Sequence, residues 1–286
     1  MNSSVDKNNF VKKRTLSDKL ICGYNEFYYN LTEPVLLRLA RARLGAIYKQ
    51  PDSELLISIY TPTYNRGSLL MRRALPSVLA QTYKNFEYII VGDCCTDNTE
   101  ELVSKINDKR IKFYNLPEKS KGYPLNAEGR WLAGPVKAAN QALKMAEGKW
   151  IARIDDDDIF TKDHIEVLLK FAQENDYEFV SAAYIEERYG KRRIENAKND
   201  NPRIGGTQTW LYRSYLKFFK YNINCWRKSW NKVNDIDLQV RMHQAGVKMG
   251  FLDKVTAYVL PRPGEETIGL DAYKKAEEKG FKNYYG

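Results

Sequence analysis

The chain has 286 residues, with 46 Lys and Arg against 36 Asp and Glu for a formal net charge of +10. At 43% hydrophobic and 29% charged residues it reads as globular, which excludes disordered, collagenous and disulfide-scaffold classes. No apolar run approaches the roughly 18 residues of a membrane span. The polar start MNSSVDKNNFVKKR has no apolar core of a secretory signal. Cys22, Cys94, Cys95 and Cys225 have no zinc spacing and suit a reducing, cytoplasmic setting. With two His in the chain, acid–base chemistry is expected to rest on carboxylates. Charge is uneven: residues 1–50 carry +5, 51–180 carry −3 and 181–286 carry +8. Basic ends suit an anionic surface or partner, and their plain alternative is a lysine-rich solvated exterior.

Residues 1–50 read as a basic helical extension. Glu33 to Tyr48 predicts an amphipathic helix with Pro34 in its first turn and Leu36, Leu37, Leu39, Ala40, Leu44 and Ile47 near one face. Such a helix lies on a membrane surface or packs against the body; packing is the commoner outcome, and exposure of the apolar face separates the two. From Leu55 strands and helices alternate. Strands are expected at Leu55–Tyr60, Phe86–Val91, Ile111–Tyr114, Trp150–Ile154 and Phe179–Tyr184. Helices are expected at Leu69–Gln81, Thr99–Asn107, Pro135–Glu147 and His164–Glu174. This pattern predicts an α/β fold, a mostly parallel sheet with helices on both faces, whose ligands bind beyond the carboxyl ends of the strands. The stretch from Lys119 to Gly134 is expected to be a loop over that edge. The chain is expected to divide after residue 184, into 51–184, which holds this alternation, and 185–286, where it weakens. In the latter, a hairpin turning at Gly190 and a helix Asn234–Gln244 stopped by Gly246 are predicted.

Asp155-Asp156-Asp157-Asp158 directly follows a predicted strand. Adjacent carboxylates repel unless a cation neutralises them, and hard oxygen ligands favour Mg²⁺ or Mn²⁺ completed by water and substrate phosphates. An acidic loop, or caps for the next helix, is the plain alternative. The position at a sheet's carboxyl edge favours metal.

Several segments in order resemble the family 2 glycosyltransferases. They are Ser58 to Arg66 (SIYTPTYNR), Ala74 to Tyr83 (ALPSVLAQTY), Tyr88 to Asp93 (YIIVGD), Cys95 to Thr99 (CTDNT), Ala138 to Ala142 (AANQA) and Ala146 to Asp158 (AEGKWIARIDDDD). Together they are specific, although each alone is weak. The resemblance implies a GT-A fold, a nucleotide-diphosphate sugar donor, a divalent metal and inversion at the anomeric carbon. It places Thr61, Pro62 and Tyr64 around the nucleotide base and ribose, and Asp93 as acceptor of the uracil N–H. Arg130 falls where some members carry a basic residue near the base or phosphates. The family's DxD motif falls on Asp155 to Asp157: Asp157 holds the metal, Asp155 assists and Asp156 faces the ribose. Gly92 and Cys94 depart from the usual Asp and Gly. Cys95 and Asp97 match turn positions, where capping is expected.

The resemblance resumes at Asn234-Asp235-Ile236-Asp237, where Asn234 replaces the usual acid. Asp235 matches the catalytic base and is favoured in its ionised form by a helix N-terminus. Asp237 is the fallback, and a bare N-cap is the alternative role for Asp235. Trp210 and Arg213, in an aromatic and basic stretch before the base, are candidate acceptor contacts. The function expected is an inverting glycosyltransferase moving a sugar, from a UDP-sugar by preference, to a hydroxyl of a glycan or lipid-linked glycan, anionic by the charge argument. It would act in the cytoplasm, as a peripheral enzyme at the inner membrane face, with no nucleic acid partner. A non-catalytic basic surface-binding protein is the rival from another class. A nucleotidyltransferase ranks lower, because TPTYNRG is not a Gly-rich phosphate loop.

Overall fold

The computed structural model describes residues 15–49, 54–118, 122–124, 126–228 and 233–279. At its centre is β1 (Ile57–Thr63), flanked in parallel by β2 (Phe86–Gly92) and β4 (Trp150–Arg153), with β3 (Ile111–Asn115) parallel beyond β2. Every residue of β1 and β2 is buried, as expected for strands covered on both faces. Gly148 opens β4 because a Cβ there would stand 2.5 Å from the Ser58 amide nitrogen of β1. Helix α6 (Val136–Met145) packs on β1 and β2, and α7 (His164–Glu174) on β6 (Phe179–Arg188) and β9 (Met249–Val259).

The sheet continues as β4-β8-β6-β9-β5, with β5 at Asp158–Phe160, β8 at Leu211–Arg213, and β7 (Lys191–Glu195) paired to β6. Here β6 and β9 are parallel, whereas β8, β7 and β5 pair antiparallel through short ladders. Parallel pairing therefore holds the first half as expected, and the second half is mixed. The 184/185 boundary falls inside β6, so the two halves share one sheet. The hairpin at Gly190 and the spans of α7 and α8 (Asn234–Gln244) match the sequence expectation. The helix predicted at 69–81 is two, α2 (Gly67–Arg72) and α3 (Ala74–Leu79), broken at Arg73. Its guanidinium leaves the helix path to donate to the carbonyls of Asp157, Leu260 and Pro261 at 2.5–2.9 Å. The predicted loop 119–134 contains α5 (Ala127–Ala133), capped by Asn126; residues 119–121 and 125 lie outside the described residues.

The N-terminal helix departs most. Helix α1 runs Leu16–Leu44, opened by a capping box between Thr15 and Asp18, so Pro34 lies inside it rather than in its first turn. Leu36, Leu39, Leu44 and Ile47 are exposed, and of the expected apolar face only Leu37 is fully buried. Polar residues hold α1 to the body: Asp18 pairs with Arg227 at 2.8 Å, Arg41 with Glu178 at 2.6 Å, and the buried Glu33 with Arg241.

Candidate active site

Beyond the carboxyl ends of β1, β2 and β4 lies a cavity of about 760 Å³, within the range of small-molecule pockets. Its walls come from the loop after β1, Asp93 after β2, α5 and the residues on either side of it, the four aspartates after β4, the second half of β6, residues 206–208, the start of α8, the segment after β9, and Ala272 and Tyr273. Strand crossovers bring the segments after β1, β2 and β4 together because each strand delivers its following loop to the same edge.

The acidic run is sorted by its partners. Asp156 is buried, accepts from the Thr63 hydroxyl at 2.7 Å and pairs with Arg66 at 3.3 Å. Burial raises it to about 6 against the opposing pull of Arg66. Burial would also raise Asp157, but Arg262, at 2.7 Å, and Arg66 more than offset it and hold its carboxyl below the ordinary range. Asp155 pairs with the buried Arg153 at 2.9 Å. Asp158 is raised well above a normal carboxylate by burial and by its three acidic neighbours. All four carboxyls of the run line the cavity, with Asp157 held low by its arginines and Asp158 pushed up by burial.

Asp235 sits in the first turn of α8 and lines the same cavity. The N-cap is Val233, so Asp235 is not the cap. Burial raises its carboxyl, opposed by Arg153, and Asp155 raises it further. Asp237, the fallback, is closed off from the cavity between Lys228 at 2.5 Å and Arg241 at 3.1 Å. Asn234 donates to the carbonyls of Leu132 and Gly134, at 3.1 and 2.8 Å. A carboxylate could not make those bonds, which accounts for the amide in place of an acid.

Pro62, Tyr64, Asp93, Arg130, Asp155, Asp156, Asp157 and Asp235 all line the cavity. Three expected residues do not. Thr61 is fully buried, its hydroxyl donating to the Ile154 carbonyl at 2.8 Å and 2.8 Å from the Tyr88 hydroxyl, and Thr63 lines the cavity instead. Trp210 is 1% exposed, donates to the Gly205 carbonyl and packs edge-on against Phe179. Arg213 is buried, bound to Asp176 at 2.7 Å and set over the rings of Tyr48 and Trp150. Both belong to the core, and Trp230 lies outside the described residues. Asp97 accepts from the amides of Thr99 and Gly67, each the first residue of a helix, from outside the N-cap positions, which are Asn98 and Arg66. Gly92 leaves room for Asn115, whose side chain clamps both backbone groups of Cys95; a Cβ there would stand 2.5 Å from its oxygen.

Sequence reading missed Arg66, Arg153, Arg262 and Trp131 as cavity residues. Arg66 and Arg153 lie within the quoted motifs and were findable as basic partners for the aspartates. Arg262 follows an unpredicted strand and left no local signal.

Among the described residues no cluster of three or more His, Cys, Asp or Glu could hold a metal unaided. Asp155 and Asp157 both line the cavity, each paired with an arginine, Arg153 at 2.9 Å and Arg262 at 2.7 Å, and oxygen donors of this kind suit a hard divalent cation.

A family model described as glycosyl transferase family 2 matches residues 58–233. An uncharacterized glycosyltransferase of Rickettsia conorii is 39% identical over 137 residues, 48% of this chain and 20% of that protein. The Escherichia coli UDP-Glc:alpha-D-GlcNAc-diphosphoundecaprenol beta-1,3-glucosyltransferase WfgD is 31% identical over 162 residues, 57% of this chain and 55% of that one. The chain thus spans about half, or less, of the length of these relatives. Among solved structures, S. aureus TarS 1-349 in complex with UDP-GlcNAc superposes with a TM-score of 0.59 at 23% identity, over 74% of this chain and 60% of that one. The mannosyltransferase PcManGT of Pyrobaculum calidifontis, in complex with GDP-Man and Mn²⁺, gives 0.54 at 17% identity over 82% and 70%. These two likenesses establish the fold, a GT-A-like α/β sheet.

Proposed function

The chain belongs to glycosyl transferase family 2, and from that membership we propose that it moves a sugar from a UDP-sugar to a hydroxyl of a glycan or lipid-linked glycan by a single inverting displacement. The observation that carries this reading is one cavity joining the aspartates after β4 to Asp235 on α8. Tyr64 and Asp93 would hold the base, with Asp93 accepting the uracil N–H. Arg130 would lie near the base or phosphates, and Asp156 at the ribose. Asp155 and Asp157 would hold a Mn²⁺ or Mg²⁺ ion, which supplies positive charge against the departing diphosphate. Asp235 accepts the proton of the acceptor hydroxyl as its oxygen bonds to the anomeric carbon and the bond from that carbon to the diphosphate oxygen breaks. Burial raises the carboxyl of Asp235, against the expectation from the helix N-terminus alone, which strengthens it as a base, and Arg153 opposes that rise. WfgD, by its name, uses UDP-Glc and a diphosphoundecaprenol-linked acceptor, which supports the UDP-sugar and lipid-linked choices.

Calorimetric titration of UDP tests the donor site. Binding is expected with Mn²⁺ and should be lost with EDTA or in Asp157→Ala. If UDP, dTDP and GDP all fail to bind with Mn²⁺ present, the donor reading is wrong and a non-catalytic binding protein takes its place.

A further inference from the structure

Helix α1 turns an apolar face to solvent along its whole length. Leu16, Leu20, Tyr24, Phe27, Leu31 and Val35 recur at steps of three and four, and Leu16 and Phe27 are 74% and 69% exposed. At 29 residues the helix is about 43 Å long. Isolated exposed leucines need no explanation, but a continuous stripe marks a surface that meets something apolar.

The charges of the helix say what that is. Of its three acids, Asp18 and Glu33 are buried and neutralised by Arg227 and Arg241, which leaves Glu26 as the exposed one. At 100° per residue Glu26 falls on the flank beside Lys19, outside the stripe. Arg38 falls inside it, three residues beyond Val35 and seven beyond Leu31, and is exposed, as are Arg43 in the last turn and Lys49 after it. In sequence, Lys12, Lys13 and Arg14 come just before the helix. No helix among the described residues is long and apolar enough to cross a membrane, so the stripe is a face rather than a span.

We propose that the outer face of α1 docks this protein on an anionic lipid bilayer, with the apolar stripe in the headgroup–acyl boundary, Arg38 at the lipid phosphates, and the exposed Arg43, on the flank past Val35, and Lys49 adding positive charge beside it. A second copy of the chain fits less well. In a two-fold contact the stripe meets itself, and because it carries no acid, Arg38 would be buried without a carboxylate. At a bilayer the same side chain lies along the apolar surface and delivers its guanidinium to phosphate. Helix α1 packs on α8, which carries Asp235, so docking would hold the cavity close to an acceptor in the membrane. The proposal rests on the helix and not on the donor reading.

Co-sedimentation with vesicles of phosphatidylglycerol and phosphatidylcholine, and of phosphatidylcholine alone, tests it. The protein is expected to sediment with the anionic vesicles and less with the neutral ones. The triple variant Leu20→Ser, Phe27→Ser, Leu31→Ser should lower partitioning at least about tenfold. Arg38→Gln with Arg43→Gln should bring anionic binding down towards the neutral level, and added salt should do the same. All these positions are exposed, so thermal unfolding should be unchanged; the charge variant alone would carry the test if the triple variant did not fold. No sedimentation with anionic vesicles, or sedimentation indifferent to both variants, overturns the proposal. So does a dimer in sedimentation velocity that the triple variant dissociates. UDP titration of the same samples separates failure of docking from failure of the donor site.

Discussion

Two residues along α8 separate Asp235, which lines the cavity, from Asp237, which is closed between Lys228 and Arg241. Two steps turn a helix by about 200°, so one carboxylate meets substrate and the other meets the protein. Asp235→Asn should therefore lower kcat by about 10²–10⁴-fold with UDP binding retained, since only proton acceptance is removed. Asp237→Asn should lower the melting temperature and leave the chemical step largely intact. A steady-state assay beside a thermal melt distinguishes them, and equal loss of kcat in both variants would contradict the assignment of the base. At this scale the sequence carried the acids well, because Asp155–Asp157 and Asp235 stand in motifs whose residues are neighbours along the chain. It carried their partners poorly. Arg262 meets Asp157 from 105 residues away, and whether Thr61 or Thr63 faces the cavity depends on how the end of β1 is covered. Trp210 and Arg213 show the opposite error: sugar-binding residue types that here serve packing and an ion pair.

Among the elements, α1 shows why an amphipathic pattern does not say which side faces the body. Its leucines other than Leu37 point outwards, whereas its inner face is pinned by Asp18, Glu33 and Arg41. Arg241 is the centre of that attachment: it is 4% exposed and pairs with both Glu33 and Asp237. Removing it leaves the buried Glu33 without its cation and takes from Asp237 one of its two, Lys228 remaining at 2.5 Å. Arg241→Ala should cost about 3–5 kcal/mol in urea unfolding. Leu39→Ala, on the outer face, should change stability by less than about 0.5 kcal/mol. The reverse order would mean that α1 is held by its apolar residues, as its sequence first suggests. Strands β5, β8 and β9 went unread for a related reason. The first two have three residues each, too few to show a period, and β9 is only partly buried, so neither alternation nor a continuous apolar run marks it.

Over the whole molecule, the strand–helix alternation of residues 55–184 was legible because β1, β2 and β4 are buried along their whole length and parallel strands need a crossover before the next. The closure of the sheet by β8 and β9 was not, since those pairings join segments far apart in the chain. His164 lies at that closure. It is fully buried at the start of α7, stacks on Phe160 of β5 with ring centroids 3.6 Å apart, and its Nδ1 lies 2.9 Å from the Thr256 carbonyl of β9. Burial pushes its pKa from 6.5 down to about 4, against smaller opposing effects of the Thr256 carbonyl and Asp163. Below pH 6.5 the unfolded chain takes up a proton that the folded chain refuses until about pH 4. The group's contribution is therefore complete above 6.5 and lost as pH falls towards 4, by about 2 kcal/mol at pH 5. Glu33, which burial raises to about 7, works in the opposite sense over the same range, because its neutral form is the one the fold prefers. A comparison of wild type with His164→Gln cancels that contribution, which both proteins share. The variant should lose stability at pH 7 through lost packing, and the gap to wild type should narrow by about 2 kcal/mol at pH 5 in urea unfolding. A gap of equal size at both pH values would mean that His164 takes up its proton in the folded state as easily as in the unfolded one, and that the junction of β5, α7 and β9 admits water.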